Sequence, residues 1–251
     1  MDYIAIVVRE DNFMYLFYNE TVAFSIDSYR ADLIIKALSL EFEKNIYTES
    51  ELRKLKKRNL PRKLLFSLTT HHHFDHSNGD KDLLKQFPSL INYNYNFLKK
   101  QNSKEKIPFI TYPQFTISYL HTPCHTQDSV CFYVKSNQSY LLTGDTIFYL
   151  GVGKFFEGTA EEMLNNIIKI SDLESETLIL YGHDYHKINT AFARQFIELP
   201  KLLPTPFLTL EDEKNYNPFF NYKRLNLGSN HIERIHKLRN MKDLFKYEMD
   251  L

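Results

Sequence analysis

The heptapeptide Thr70-His71-His72-His73-Phe74-Asp75-His76 constrains this chain more than any other segment. It follows Leu64–Thr69, an apolar run of strand length. Five potential metal ligands, four histidines and an aspartate, stand in six residues. In an extended segment the side chains at i, i+2 and i+4 point one way, which predicts His71, His73 and Asp75 on one side. A turn toward Gly79 can swing His76 into the same cleft. His72 points the other way and reads as structural. So dense a set of donors at a strand end points to a metal ion, and a fold holding it must bring further ligands from elsewhere.

Three segments can supply them. His125 follows the alternating strand Phe115–Leu120, within His121-Thr122-Pro123-Cys124-His125-Thr126. Asp145 follows Tyr140–Thr143, and His183 follows Thr177–Tyr181. Asp145 and His183 each come directly after a glycine, in a chain with only seven. Such sparing use marks places where the backbone needs a positive φ or a close approach. Ligands gathered at strand ends are how an α/β scaffold builds a site. Imidazole with carboxylate and no thiolate suits a hydrolytic zinc, iron or manganese centre rather than a structural zinc knot. Five histidines and two aspartates are too many for one tetrahedral ion. Two divalent ions of about three ligands each, sharing one carboxylate, fit the count.

The rest of the chain is consistent with a globular enzyme. Its 251 residues suffice for one or two domains with a real core. Thirty-one basic and 31 acidic residues cancel, which argues against a nucleic-acid protein held by bulk charge. One basic run, Arg53, Lys54, Lys56, Lys57, Arg58, Arg62 and Lys63, reads as a solvated face. No apolar run approaches a membrane span. Met1-Asp2-Tyr3-Ile4 has no basic n-region, and two cysteines cannot make a disulfide framework, so the cytoplasm is the expected compartment. Cys124, beside His125, lacks the partners of a nucleophile and reads as packing.

Strands are expected at Tyr3–Val8, Phe13–Tyr18, Thr21–Ile26 and Ser129–Val134 as well as at the ligand-bearing positions. Helices are expected at Arg30–Lys44, Ser50–Arg58 and Gly79–Phe87. Another opens at the capping box Thr159-Ala160-Glu161-Glu162. From about residue 186 strand signals fade. Asn189–Glu198 and Asn230–Tyr247 look helical, joined by a proline-bearing loop from Pro200 to Phe220. An α/β domain over residues 1–185 and a helical domain over 186–251 are therefore expected.

Thr70–His76 resembles the THxHxDH signature of the metallo-β-lactamase superfamily, with Phe74 in place of the usual tryptophan. The wider context resembles the glyoxalase II (hydroxyacylglutathione hydrolase) family. His121–Thr126, Thr143–Thr146, Gly153–Ala160, Gly182–Tyr185 and Asn217-Pro218-Phe219 match further blocks, and Arg239 to Lys246 resembles the family's C-terminal end. The resemblance implies an αββα sandwich with a C-terminal helical domain. It also implies that His71, His73 and His125 hold one ion, that Asp75, His76 and His183 hold the second, and that Asp145 bridges. Asp75 and Asp145 are then the catalytic carboxylates. The implied activity is hydrolysis of S-D-lactoylglutathione and other 2-hydroxyacylglutathiones by hydroxide held between the two ions, with zinc the expected metal.

Lys154, Tyr185, Arg239 and Lys242 occupy the positions that contact glutathione in the family. Phe156 stands where a glutathione-contacting tyrosine is usual. Gln127-Asp128 replaces a small residue and glycine, and the segment before residue 64 is longer than usual. The partner expected is a small glutathione thioester, with no nucleic acid, no membrane and a monomeric chain. Two other activities share the fold: a glutathione persulfide dioxygenase using one iron, and a nucleic-acid processor, the latter motivated only by the run at 53–63.

Overall fold

The computed structural model describes residues 1–246. The first sheet is built on β1 (Asp2–Val8), β2 (Asn12–Tyr18) and β3 (Val22–Ile26), which form an antiparallel meander. Then come α1 (Ala31–Ala37), β4 (Ile46–Thr48), α2 (Glu49–Leu52), β5 (Lys63–Leu68), α3 (Phe74–Ser77), α4 (Asp80–Gln86) and β6 (Asn92–Tyr93). Strand order is β4-β1-β2-β3-β5-β6, with β4, β5 and β6 parallel to their neighbours.

After α5 (Tyr95–Lys100), a second sheet is made by β7 (Ile110–Tyr112), β8 (Phe115–His121), β9 (Val130–Lys135) and β10 (Ser139–Gly144). A small hairpin, β11 (Ile147–Phe148) with β12 (Gly151–Val152), and α6 (Ala160–Ser171) follow. Strand β13 (Leu178–Tyr181) then returns parallel to β10, giving the order β13-β10-β9-β8-β7. Helices α7 (His186–Ala193), α8 (Leu210–Tyr216) and α9 (His231–Leu244) complete the chain, with α9 against α6.

Alternation within the first strands explains the layers. Tyr3, Ala5, Phe13, Tyr15 and Phe17 face the second sheet. Ile4, Ile6, Val8, Met14 and Leu16 face outward against Leu33, Ile34 and Ala37 of α1 and Leu83 of α4. A sheet buried on both faces needs apolar residues at both phases, which is what these strands carry. Between the sheets, Phe24 stacks on Phe17 at 5.0 Å and on Phe66 at 4.9 Å, and meets Phe115 of the opposite sheet at 5.1 Å. The capping box is present: Thr159 accepts from Glu162 N–H, and Glu162 returns the bond to Thr159 N–H.

Several expected elements end differently. The helix expected over Arg30–Lys44 stops at Ala37, because Arg62 takes the carbonyl of Leu38 through its N–H and that of Leu40 through its guanidinium. The helix expected at Ser50–Arg58 is the single turn α2. Helix α8 lies within the expected loop and is opened by a further capping box, Thr209 with Asp212. The last helix ends at Leu244, and Tyr247, its expected end, lies outside the described residues. The basic run is largely absorbed. Arg53 pairs with Glu49, Lys56 with Glu41 and Arg58 with Glu20, while Arg62 is buried over the Tyr18 ring. No helix among the described residues is long and apolar enough to cross a membrane.

Candidate metal centre

The C-terminal ends of β3, β5, β8, β10 and β13 converge on one edge of the sandwich. Pairing of Ile26 with Leu68 sets Asp27 beside Thr70, and pairing of Gly144 with Tyr181 sets Asp145 beside Gly182 and His183. Backbone bonds stitch the two sheets here, from Val130 N–H to Thr70 O at 2.9 Å and from Phe13 N–H to Gly182 O at 2.8 Å.

Two groups of donors result. Ligand atoms of His71, His73, His125 and Asp145 lie within 4.8 Å of one another, as do those of Asp75, His76 and His183. Asp145 reaches between the groups. Its Oδ2 is 3.3 Å from His125 Nε2 and 3.6 Å from His183 Nε2, and its Oδ1 is 3.2 Å from His76 Nε2. All seven residues singled out in the sequence are therefore brought together. The path differs from the extended segment expected. The strand ends at Leu68, and Phe74–Ser77 is a helical turn, so Asp75 and His76 project from a helix into the second group while His71 and His73 enter the first. His72 faces away, with Nδ1 2.8 Å from Asp128.

Outer contacts leave each buried imidazole one nitrogen for the cleft. A carboxylate only accepts, so His76 donates through Nδ1–H to Asp27 Oδ2 at 2.9 Å. Thr70 Oγ1–H also donates to Asp27, and His71 Nδ1–H donates to Thr70. His125 Nδ1–H bonds the carbonyl of Lys154, and His183 Nδ1–H bonds Asp11. The inward His71 Nε2 is buried without a hydrogen-bond partner, and the buried His76 Nε2 and Asp145 Oδ1 face only each other, at 3.2 Å. Such an orphan costs about 1–3 kcal/mol, a cost that a bound cation removes. Nitrogen and carboxylate donors facing inward in this way fit two divalent ions.

Electrostatics agree for the first group. Burial holds His71, His73 and His125 below the usual imidazole range, in the neutral form a metal needs. Burial opposes charge on both His76 and Asp145. Their mutual attraction, with Asp27 on the His76 side, outweighs it, raising His76 and lowering Asp145. Burial pushes the Cys124 thiol up to about 12, in keeping with packing.

Asp27 and Asp11, which accept from the outer nitrogens of His76 and His183, are contacts that the sequence reading misses. Neither stands in a motif, and each acts through a chain neighbour of the fold. Asp27 adopts φ 50°, a conformation unusual for a residue with a side chain.

A cavity of about 300 Å³ opens from Asp145 and His125, and Lys154, Phe156, Tyr185, Arg239 and Lys242 line it. Phe156 is exposed and stands edge-on to His73 and His125. Tyr185 stacks on His183. The Arg239 guanidinium is engaged, donating to Val152 O and to Asp243, both at 2.8 Å. Lys242 lies over Phe192 and Phe245 and makes no ion pair among the described residues.

No family model matches the chain. A probable hydroxyacylglutathione hydrolase of Encephalitozoon cuniculi is 38% identical over 244 residues, covering 95% of each chain. The hydroxyacylglutathione hydrolase of Pelagibacter ubique is 32% identical, covering 94% of this chain and 96% of its own. Among solved structures, the BLEG-1 B3 metallo-β-lactamase aligns with a TM-score of 0.60 at 20% identity, covering 87% of this chain and 99% of its own, a likeness of fold. With this metallo-β-lactamase fold and relatives matched along almost their whole length, the chain belongs to the hydroxyacylglutathione hydrolase family.

Proposed function

We propose that this protein hydrolyses S-D-lactoylglutathione and related 2-hydroxyacylglutathiones to the hydroxy acid and glutathione. The observation that carries this is the pair of donor groups joined by Asp145 at the floor of a cavity with Lys242 on its wall. His71, His73 and His125 would hold one ion and Asp75, His76 and His183 the other, with Asp145 shared. Zinc is the metal proposed. When bound, two such ions supply an activated water at neutral pH and stabilise negative charge on a carbonyl oxygen.

The protein supplies orientation. Asp145 fixes the spacing between the groups, and Asp27 holds the loop at Thr70 and the His76 ring together. Lys242, with Lys154, attracts the carboxylates of glutathione, and Tyr185 and Phe156 close the walls along which the thioester lies. Thiolate is a good leaving group, so no separate general acid is required. Residues 1–185 act as the metal-bearing domain and 186–251 as the substrate-binding one. A monomeric chain in the cytoplasm is the proposed state and compartment.

The test is release of free thiol from S-D-lactoylglutathione, run beside oxygen uptake with glutathione persulfide. Thiol release without oxygen uptake supports the reading. Oxygen uptake with no thioester hydrolysis would replace it with a dioxygenase.

A further inference from the structure

We propose that Asp11 is a positioning residue for the second donor group, and that through His183 it sets the affinity for one ion of the pair without touching the other. The inference rests on the two-ion reading above.

Asp11 closes the turn between β1 and β2, far from any ligand in sequence. It grips two consecutive residues of the loop after β13. Its carbonyl accepts Asp184 N–H at 2.7 Å, and its carboxylate Oδ1 lies 2.8 Å from His183 Nδ1. The turn is anchored beside that loop, since Asn12 Nδ2 and Phe13 N–H both donate to Gly182 O. Accepting the Nδ1 proton leaves the Nε2 lone pair pointing inward, where Asp75 Oδ2 and Asp145 Oδ2 are each 3.6 Å away. Tyr185 stacks parallel on the ring at 5.1 Å, and Phe148 meets it edge-on at 6.0 Å. Those aromatic contacts fix the plane of the imidazole. They do not select which nitrogen faces the cleft, and the Asp11 bond does.

The donor groups differ in their outer contacts. In the first, His71 is backed by the Thr70 hydroxyl and His125 by a backbone carbonyl. In the second, His76 and His183 are both backed by carboxylates. A carboxylate behind an imidazole raises its basicity and holds its orientation, and loss of such a partner typically costs 10–100-fold in metal affinity. Asp27 cannot isolate this effect, because it also holds the Thr70 N–H and hydroxyl and so bears on both groups. Asp11 bonds only His183 among the ligands. Its side chain is 40% exposed, so its replacement leaves the core intact.

The experiment measures zinc content and zinc affinity by chelator competition in the full chain, with no substrate present. Wild type, Asp11→Ala, Asp11→Asn and the neighbouring control Glu10→Ala are compared, with thermal melts to verify folding. Wild type should hold two equivalents. Asp11→Ala should weaken one by about 10–100-fold and leave the other unchanged. Asp11→Asn, whose side-chain oxygen still accepts the Nδ1 proton, should recover part of the loss, and Glu10→Ala should match wild type. Two equivalents at wild-type affinity in Asp11→Ala would overturn the inference. So would equal weakening of both, or an Asn variant no better than Ala. Wild type holding one equivalent would instead overturn the two-ion reading beneath it.

Discussion

A Cβ on residue 182 would stand 2.3 Å from Asp145 Oδ1, so only glycine at 182 lets that carboxylate take its place between the donor groups. The same Cβ would lie 2.8 Å from His76 Cε1. Gly182→Ala should therefore disturb the centre directly. Overpacking of this kind costs about 1–3 kcal/mol, and the strain falls on two ligands. Metal content should fall with only a modest loss of thermal stability. Elemental analysis beside a thermal melt checks this, and a variant with full metal content would refute it.

Among the described residues Asp145 is the one carboxylate that reaches both groups. Asp145→Ala should release metal and lower hydrolysis by several orders of magnitude. His72→Ala, one residue from two ligands, should keep both ions and most activity, because His72 faces Asp128 at the rim. Equal losses in the two variants would mean that His72 belongs to the centre.

Lys242 and Arg239 should separate. Lys242 makes no ion pair among the described residues, and a charge-assisted contact is worth about 1.5–3 kcal/mol. Lys242→Ala should lower kcat/KM for the glutathione thioester roughly 10- to 100-fold, mainly through KM. A small thioester lacking the glutathione peptide should not sense the change. Arg239 is tied to Val152 O and Asp243, so Arg239→Ala should also lower the Tm, by loosening α9 from the β11–β12 hairpin. Steady-state kinetics on both thioesters, with melts, resolves the two.

The pH dependence follows from Lys242. Burial pushes its amine down to about 8, with Arg239 adding repulsion and Asp243 opposing it. The amine is charged below that pH and neutral above it. KM for the glutathione thioester should therefore rise as pH climbs through about 8. Lys242→Arg, charged throughout the range, should remove the rise. A wild-type KM that stays flat to pH 9.5 or so would show that this cation does not face the substrate.

The seven donors were legible in the sequence because each follows a strand end, and two follow glycines that the geometry requires. Gly144 adopts φ 47°, and Gly182 has no room for a side chain. The strand at Tyr3–Val8 was legible as an apolar run, but its phase was not, because both of its faces are packed. The turn Phe74–Ser77 was not, since four residues carry no period, and it alone moves Asp75 into the second group. Asp27 and Asp11 were invisible for another reason. Their partners lie 43 and 172 residues away, and only sheet pairing brings them together. The early end of α1 likewise depends on Arg62, a residue from a later strand's approach.

Titrating metal back into the stripped protein while following thiol release from S-D-lactoylglutathione tests the central claim most directly. The account predicts that hydrolysis climbs to a plateau at two equivalents of zinc per chain. A plateau at one equivalent, or no thiol release at any metal loading, would contradict it.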